Sequence, residues 1–415
     1  MSKLEELIQR YCPDGVEWVP FFDVCDLIRG ITYNKEQEAK TQTFDAHKVL
    51  RANNITLHLN ALNFDDVKLV SKDVVVKPAQ HLFSGDILMC AGSGSKEHVG
   101  KVAYISENMD YTFGGFMAVV RCKKALLPRY IFHILTSGYF SNHLEVQINS
   151  STINNINKQV MQSFELPVPP LPVQEEIVRV LDTFTELQAE LQAELQKRLQ
   201  QYNYYRDNLL SFEGRTDVEW KKLGEVADLL SGFPFDSTQF TNDGIRLMRG
   251  VNIKRGQLCF NEKDDRYWKS PEGLEKYIIH ENDIVISMDG SLVGRSFGMV
   301  KKEHLPLLLV QRVARVRTSV FNINFIYHCI NNWFPDYVDK KKTQGAIPHI
   351  SMKDIASFPI PAPSLDEQER IASILDKFDT LTNDLSQGLP AEIEKRRQQY
   401  QFYRDKLLTF KRKEA

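Results

Sequence analysis

Residues 202–212 read YNYYRDNLLSF, and residues 400–410 read YQFYRDKLLTF. Two such aromatic–Arg–Asp–Leu–Leu strings in one chain call for a wider comparison, because internal repeats decide architecture before any local reading does. Upstream, QEEIVRVLDTF (174–184) is matched by QERIASILDKF (368–378), and FELPVPPLP (164–172) by FPIPAPSLD (358–366). Before those, SSTINNINKQV (150–160) is matched by QGAIPHISMKD (344–354). VEW occurs at 16–18 and again at 218–220, and LRANNI (50–55) parallels MRGVNI (248–253). GDILMCAGSGS (85–95) parallels NDIVISMDGSL (282–292), and YIFHIL (130–135) parallels FIYHCI (325–330). Chance does not place so many matches in the same order. The chain is a duplication.

The copies lose register at one place. Asp376 follows Asp182 by 194 residues, whereas Arg404 follows Arg206 by 198. The jump of four lies within TELQAELQAELQ (185–196), a tandem run of good helix formers with a period of four. The other copy reads TLTNDLSQGLPAEIEKRRQQ (380–399), where Gly388 and Pro390 predict a break or kink. The repeat adds length and no chemistry. One unit extends a straight helix by about 6 Å and rotates the chain beyond it by about 40° past a full turn.

Each half divides into a globule and a helix. Short β-like runs such as VKLV, GDILMC, KVAYI, DIVISM and RVARVRT alternate with Gly, Asn, Asp and Ser clusters. Amphipathic stretches near 128–144 and 323–340 predict helices, and Pro-rich segments at 167–172 and 359–363 close the globules. In the first long helix, Ile177, Val180, Leu181, Phe184, Leu187, Leu191, Leu195 and Leu199 form one apolar stripe. Residues 174–210 span roughly 55 Å if helical throughout. The second copy continues the pattern with Ile371, Ile374, Leu375, Phe378, Leu381 and Leu385. The expected class is α+β: globular domains at 1–165 and 214–360, and two long helices forming an antiparallel coiled coil with a pseudo-two-fold repeat. The helical regions are 166–213 and 361–415, the second kinked near 388–390.

Composition removes several function classes. The 415 residues carry a formal net charge of −2, which excludes a globally basic nucleic-acid protein but not a local basic face. Cys12, Cys25, Cys90, Cys122, Cys259 and Cys329 include no CxxC pair, which argues against a zinc site or disulfide framework and suits a cytoplasmic location. MSKLEELIQRYCPDG lacks the apolar segment of a secretory leader, and the apolar run near 305–310 is too short to span a bilayer, so no membrane partner is expected.

The catalytic motifs also fail. GSKEHVGKV (94–102) has the wrong spacing for a phosphate loop and Val102 where a magnesium-binding hydroxyl belongs. No metal-spaced His/Cys cluster appears, and His133 and His328 recur in helical surroundings that suit core histidines. Asp26, Glu38 and Lys40 could be assembled into a nuclease-like set, but that spacing is common in charged loops. A binding protein is left, with no catalytic or metal residue of its own.

Candidate DNA contacts fall in the parallel loops. Arg51 with Asn54, and Arg249 with Asn252, pair residues able to bond guanine and adenine edges, or phosphate. The alternative is a surface salt bridge for each Arg and a turn for each Asn. Ser93, Ser95, Lys96, Lys101, Ser291 and Arg295 lie in or near Gly/Ser loops that suit close approach to a phosphate backbone, although ordinary turns have the same composition. Lys340, Lys341, Lys342 and Gln344 form a basic run that could equally be a solvated helix end. Leu187, Leu191 and Leu195 belong to the spacer helix. Tyr202, Tyr205 and Arg206, with Tyr400, Tyr403 and Arg404, suit packing on a partner helix or another subunit.

Taken together, the paired variable globules, the LD-x-F and Y-x-Y-Y-R-D-x-L-L-x-F helices and the tandem tetrapeptide resemble the specificity subunit of type I restriction–modification systems, over nearly the whole chain. The resemblance implies two target-recognition domains, each reading one half of an asymmetric double-stranded DNA site. It implies helices that fix the spacer and dock two methyltransferase subunits, joined by motor–nuclease subunits. S-adenosylmethionine, ATP and magnesium are then expected on those partners, with no cofactor on this chain. The competing readings are a coiled-coil adaptor whose globules bind protein, and a stand-alone nuclease.

Overall fold

The computed structural model describes residues 2–39, 45–56, 59–123, 126–148, 155–342, 348–384 and 386–414. It resolves into two compact units that do not coincide with the two halves of the sequence. The first is Met1–Glu194 together with Ala391–Ala415, and the second is Leu195–Pro390. Each globule therefore carries the start of its own helical region and the end of the other copy's.

In the first unit, strands Cys25–Arg29 (β1), Ile87–Cys90 (β2), Val102–Tyr104 (β3) and Met117–Cys122 (β4) form an antiparallel sheet ordered β1-β4-β2-β3. The helix Pro128–Leu135 (α1) comes next, with Pro at its first turn where the missing N–H costs nothing, and the long helix Leu171–Leu209 (α2) leads out of the unit. In the second unit, Asp228–Ser231 (β5), Ile284–Ser287 (β6), Phe297–Met299 (β7) and Val313–Arg317 (β8) repeat the same order, β5-β8-β6-β7. The helices Ile323–Lys341 (α3), Leu365–Asn383 (α4) and Leu389–Leu407 (α5) complete the chain.

The recurring short motifs turn out to be structural joints. The VEW segments enter edge strands that close each globule against the Pro-rich stretch before its helix. Trp18 lies opposite Pro167 in one antiparallel pair and Trp220 opposite Pro361 in the other. Proline is tolerated there because an edge strand leaves one row of N–H groups unused. The aspartates of GDILMC and NDIVISM are buried, and each is clamped by an arginine of the neighbouring strand. Asp86 meets Arg121 at 2.7 Å and Asp283 meets Arg317 at 2.6 Å. Each aspartate also accepts a backbone N–H of its preceding turn, from Phe83 and His280. A buried charge so saturated holds a turn in place.

Helix α2 is apolar on one face, but its burial is uneven. Val173, Ile177 and Leu181 are fully buried against the first globule, whereas Leu187 is 41% exposed and Leu191, Leu195 and Leu199 are only half-buried. The stripe read from sequence is therefore not buried along its whole length. The globule covers only the first turns, and no side chain of residues 185–196 is buried. The expected break in the second copy is present. Helix α4 ends at Asn383 and α5 begins at Leu389, and a Cβ on Gly388 would meet the Thr380 carbonyl oxygen at 2.4 Å. Pro390 itself sits in the first turn of α5, where it is compatible with a helix.

Within each unit the helices pack together through aromatic pairs. Phe184 stacks on Tyr403 with ring centroids 5.5 Å apart, and Tyr205 stacks on Phe378 at 5.4 Å. A buried histidine ties globule to helix in both. His133 Nε2 meets Asp182 at 2.8 Å, and His328 Nε2 meets Asp376 at 2.7 Å. With Nε2–H given to the carboxylate, His133 Nδ1 accepts from the Tyr400 hydroxyl at 3.1 Å. Burial pushes the His133 pKa down against the pull of Asp182. Both recurring histidines are core residues.

Candidate nucleic-acid interface

Each unit carries a cleft built from the same parts. In the first, Ile31–Tyr33, Arg51–Asn53, the Gly92–Gly94 loop, Gly114–Met117 and Asn155 enclose about 1360 Å³. In the second, Arg249–Val251, Asp289–Leu292 and Val310–Arg312 enclose about 600 Å³. The loops correspond position by position, down to isolated backbone bridges from Gly92 to Asn155 and from Asp289 to His349.

The arginine–asparagine motifs sit at the clefts, with the two residues in different roles. Asn54 is buried. Its Oδ1 accepts from the Arg51 N–H at 2.8 Å, and its Nδ2 donates to the carbonyls of Asn63 at 2.8 Å and Asp66 at 3.1 Å. Asn252 does likewise, its Oδ1 accepting from the Arg249 N–H and its Nδ2 donating to the Cys259 carbonyl and the Asp265 carboxylate, each at 3.2 Å. Both amides are consumed in closing a turn, which places them out of reach of a base edge. Arg51 and Arg249 remain at the clefts. The Arg51 guanidinium pairs with exposed Asp66 at 2.7 Å, and Arg249 donates to the Asp264 carbonyl at 3.0 Å.

The remaining candidates divide in the same way. Lys101 is buried and its ammonium bonds the carbonyls of Ala52 at 3.1 Å and Ile55 at 2.8 Å, so it braces the Arg51 turn. Burial pushes its pKa down. Ser93 lines the first cleft, with its hydroxyl accepting from the Ser95 N–H at 3.2 Å, and Ser291 lines the second. Lys96 falls on a short 3-10 turn and its side chain lies outside the described residues, as does Gln344 altogether. Arg295 is paired with Asp339 at 2.9 Å, and Lys342 meets the same carboxylate at 2.6 Å. Hydrogen bonds from Arg295 and Lys342 hold the Asp339 pKa down at about 2. Lys340 and Lys341 are exposed on the last turns of α3.

Several cleft residues escaped sequence reading. Lys254 and Arg255 form the exposed tip of a hairpin, Ile253–Lys254 with Gln257–Leu258, beside the second cleft. Gly256 at φ +83° makes the tip possible, and its carbonyl accepts from the Tyr327 hydroxyl at 3.2 Å. The signal available in the sequence was the KRG triplet, since strands of two residues leave no periodicity.

The helix candidates divide by exposure. Tyr202, Tyr400 and Arg404 are buried within their own units, Arg404 bonding Asp405 at 3.0 Å and lying over the Tyr400 ring, while Arg206 does the same with Asp207 and Tyr202. Tyr205 and Tyr403 are partly exposed, but their neighbours Tyr204 (66%) and Phe402 (63%) are more exposed.

Among the described residues no nuclease site assembles. Glu38 is paired with Lys68 at 2.5 Å and Asp26 with Lys123 at 3.4 Å, while Lys40 lies outside the described residues. Among the described residues no His/Cys/Asp/Glu group could hold a metal ion, and no helix is long and apolar enough to cross a membrane.

The family model for the type I restriction modification DNA specificity domain matches twice, at residues 13–201 and 216–395. The chain belongs to that family. It is a DNA specificity subunit of a type I restriction–modification system and not itself an enzyme. Among curated specificity subunits, that of EcoR124I/EcoR124II from Escherichia coli is 36% identical over 270 residues, 60% of this chain and 62% of the relative. That of EcoKI from Escherichia coli K12 is 26% identical over 91% of this chain and 86% of its own length. A putative specificity subunit from Haemophilus influenzae is 28% identical over 98% of both. The fold matches that of a solved specificity subunit from M. genitalium, with TM-score 0.56 at 15% identity over 95% of both chains. A chain from a solved type I system matches at TM-score 0.57 and 17% identity, over 95% of this chain and 98% of that one. The duplicated specificity domain and its packed helices make the α+β architecture a family feature.

Proposed function

We propose that this specificity subunit reads an asymmetric, two-part site in double-stranded DNA, one part in each cleft. The observation that carries the reading is one cleft built twice on the same backbone, with different residues on its rim. A shared scaffold gives both units the same approach to a duplex, and different rims give them different bases. Arg51, Arg249, Lys254, Arg255, Lys340 and Lys341 are the cationic contacts, with Ser93 and Ser291 on the loops between. The exposed aromatics Tyr204 and Phe402 offer equivalent docking points for two methyltransferase subunits. Those partners carry S-adenosylmethionine and methylate adenine, and motor–nuclease subunits using ATP and magnesium complete the complex in the cytoplasm. A net charge of −2 is compatible with this, since partner subunits share the phosphate contacts.

The direct test is the methylation motif written into a genome when this chain is co-expressed with its methyltransferase partner. The expected motif is bipartite with unlike halves; methylation without sequence preference would overturn the reading. A second experiment addresses the hairpin. In the assembled methyltransferase, the double substitution Lys254→Gln and Arg255→Gln weakens DNA binding about tenfold at physiological salt. It also lowers the slope of log affinity against log salt by about two, because each lost phosphate contact removes close to one released counterion. An unchanged slope would remove these two residues from the interface.

A further inference from the structure

The two clefts differ in chemistry at the tip of the turn that enters the fourth strand of each sheet. In the first unit this tip is Phe116, 75% exposed on the rim of the cleft. In the second it is Arg312, also exposed. Matching hydrogen bonds hold the two tips, although only Arg312 has a positive φ. The Phe116 carbonyl accepts from Ala91 N–H at 2.9 Å, and the Arg312 carbonyl accepts from Met288 N–H, the equivalent residue, at 2.8 Å. Met117 N–H bonds the Gly114 carbonyl at 2.7 Å, and Val313 N–H bonds that of Val310 at 3.1 Å. Gly114 and Val310 are tied in turn to Leu50 and Met248.

Two features mark the tips as more than turns. The Phe116 ring, on a backbone pinned by hydrogen bonds, is held out of the core on the cleft rim, where it can meet a ligand. It also lies close over Gly92, where a Cβ would come within 3.2 Å of its Cδ1. Arg312 holds a left-handed conformation, φ +67°, which a long side chain adopts only when its surroundings impose it.

We propose that this tip is a specificity-determining position: Phe116 inserts between bases of its half-site, and Arg312 reads a base edge in the other. The inference rests on the clefts facing DNA. A rigid exposed aromatic can unstack a base step and kink the duplex, and arginine bonds guanine through two parallel hydrogen bonds. Docking on protein fits less well. Two identical methyltransferase subunits would present the same surface to both tips, and no single socket suits both a phenyl and a guanidinium. Two unlike DNA half-sites ask for this difference.

The test uses the assembled methyltransferase and a duplex bearing its own methylation motif, with single mismatches scanned through each half-site. Phe116→Ala is expected to weaken binding to the perfect duplex about tenfold, as expected for loss of one aromatic–base stack. A mismatch at the inserted step, which is already unstacked, restores binding to within about threefold of wild type; Phe116→Trp keeps wild-type binding. Arg312→Ala shows no mismatch rescue and instead relaxes the base required at one position of the other half-site. The proposal is overturned if Phe116→Ala binds as wild type, or if no mismatch relieves its defect. Failure of the wild-type complex to bind its motif selectively would instead remove the DNA reading of the clefts.

Discussion

Deleting residues 190–193, one unit of the tandem repeat, shortens the gap between the two halves of the methylation motif by one to two base pairs and leaves the bases of both halves unchanged. The chain crosses from the first unit to the second between Glu194 and Leu195, inside the repeat and in mid-helix. None of residues 185–196 is buried, so removing four of them opens no core cavity in either unit. A four-residue deletion shortens a helix by about 6 Å and changes the angular relation of its ends by about 40°. One base pair of B-form DNA turns by roughly 35°, so the rotation matches about one base pair, while the translation matches about two at 3.4 Å each. Methylation sequencing of cells carrying the shortened chain and its partner measures the spacer directly. A motif with altered half-sites, or an active complex with an unchanged spacer, would show that the repeat is not a ruler. The return connection crosses between Pro390 and Ala391, beside the turn that separates α4 from α5.

The architecture was legible because it is written twice. Period-3.6 apolar spacing located the long helices, and matched motifs fixed which parts of the two globules correspond. Individual cleft residues were far less legible. Arg-x-x-Asn satisfies the chemistry of a base reader and that of a closed turn equally well; burial of Asn54 and Asn252 decides for the turn. Lys101 has the sequence context of a loop cation, yet its ammonium bonds two backbone carbonyls. Nothing in GGFM (114–117) distinguishes an aromatic facing water, as Phe116 does, from one facing the core. The assignment of residues 391–415 to the first unit was invisible for another reason. Contacts such as His133 with Tyr400 join residues 267 apart, and local pattern carries no trace of them.

That assignment leads to the other large effect. Truncating the chain after Gly388 is expected to unfold the first globule, whose sequence it leaves intact, and to spare the second. The removed segment supplies Tyr400 and Leu408 to the core that contains Leu4, Cys12, Val16 and Phe21. Full burial of a large apolar side chain is worth about 1.5–3 kcal/mol, so these two residues alone account for several kcal/mol. The segment also adds a strand-like bridge, with Val16 N–H bonding the Lys411 carbonyl and Lys413 N–H bonding that of Val16, both at 2.9 Å. Asp405 accepts from the Gly138 N–H at 3.1 Å, and the Arg412 guanidinium lies 5.7 Å from the Trp18 ring centroid. Loss of Tyr400 further strips buried His133 of its hydroxyl partner. Against a domain stability of about 5–15 kcal/mol, these losses are decisive. The second unit keeps its own core of Tyr202, Leu210, Phe212, Ile371 and Leu375, none of which the truncation touches. Hydrogen exchange measured peptide by peptide should therefore show protection lost across residues 1–165 and retained across 214–360. Loss confined to the second globule, or full protection in both, would mean that the chain's last helix is a partner-docking element and not part of the first domain's fold.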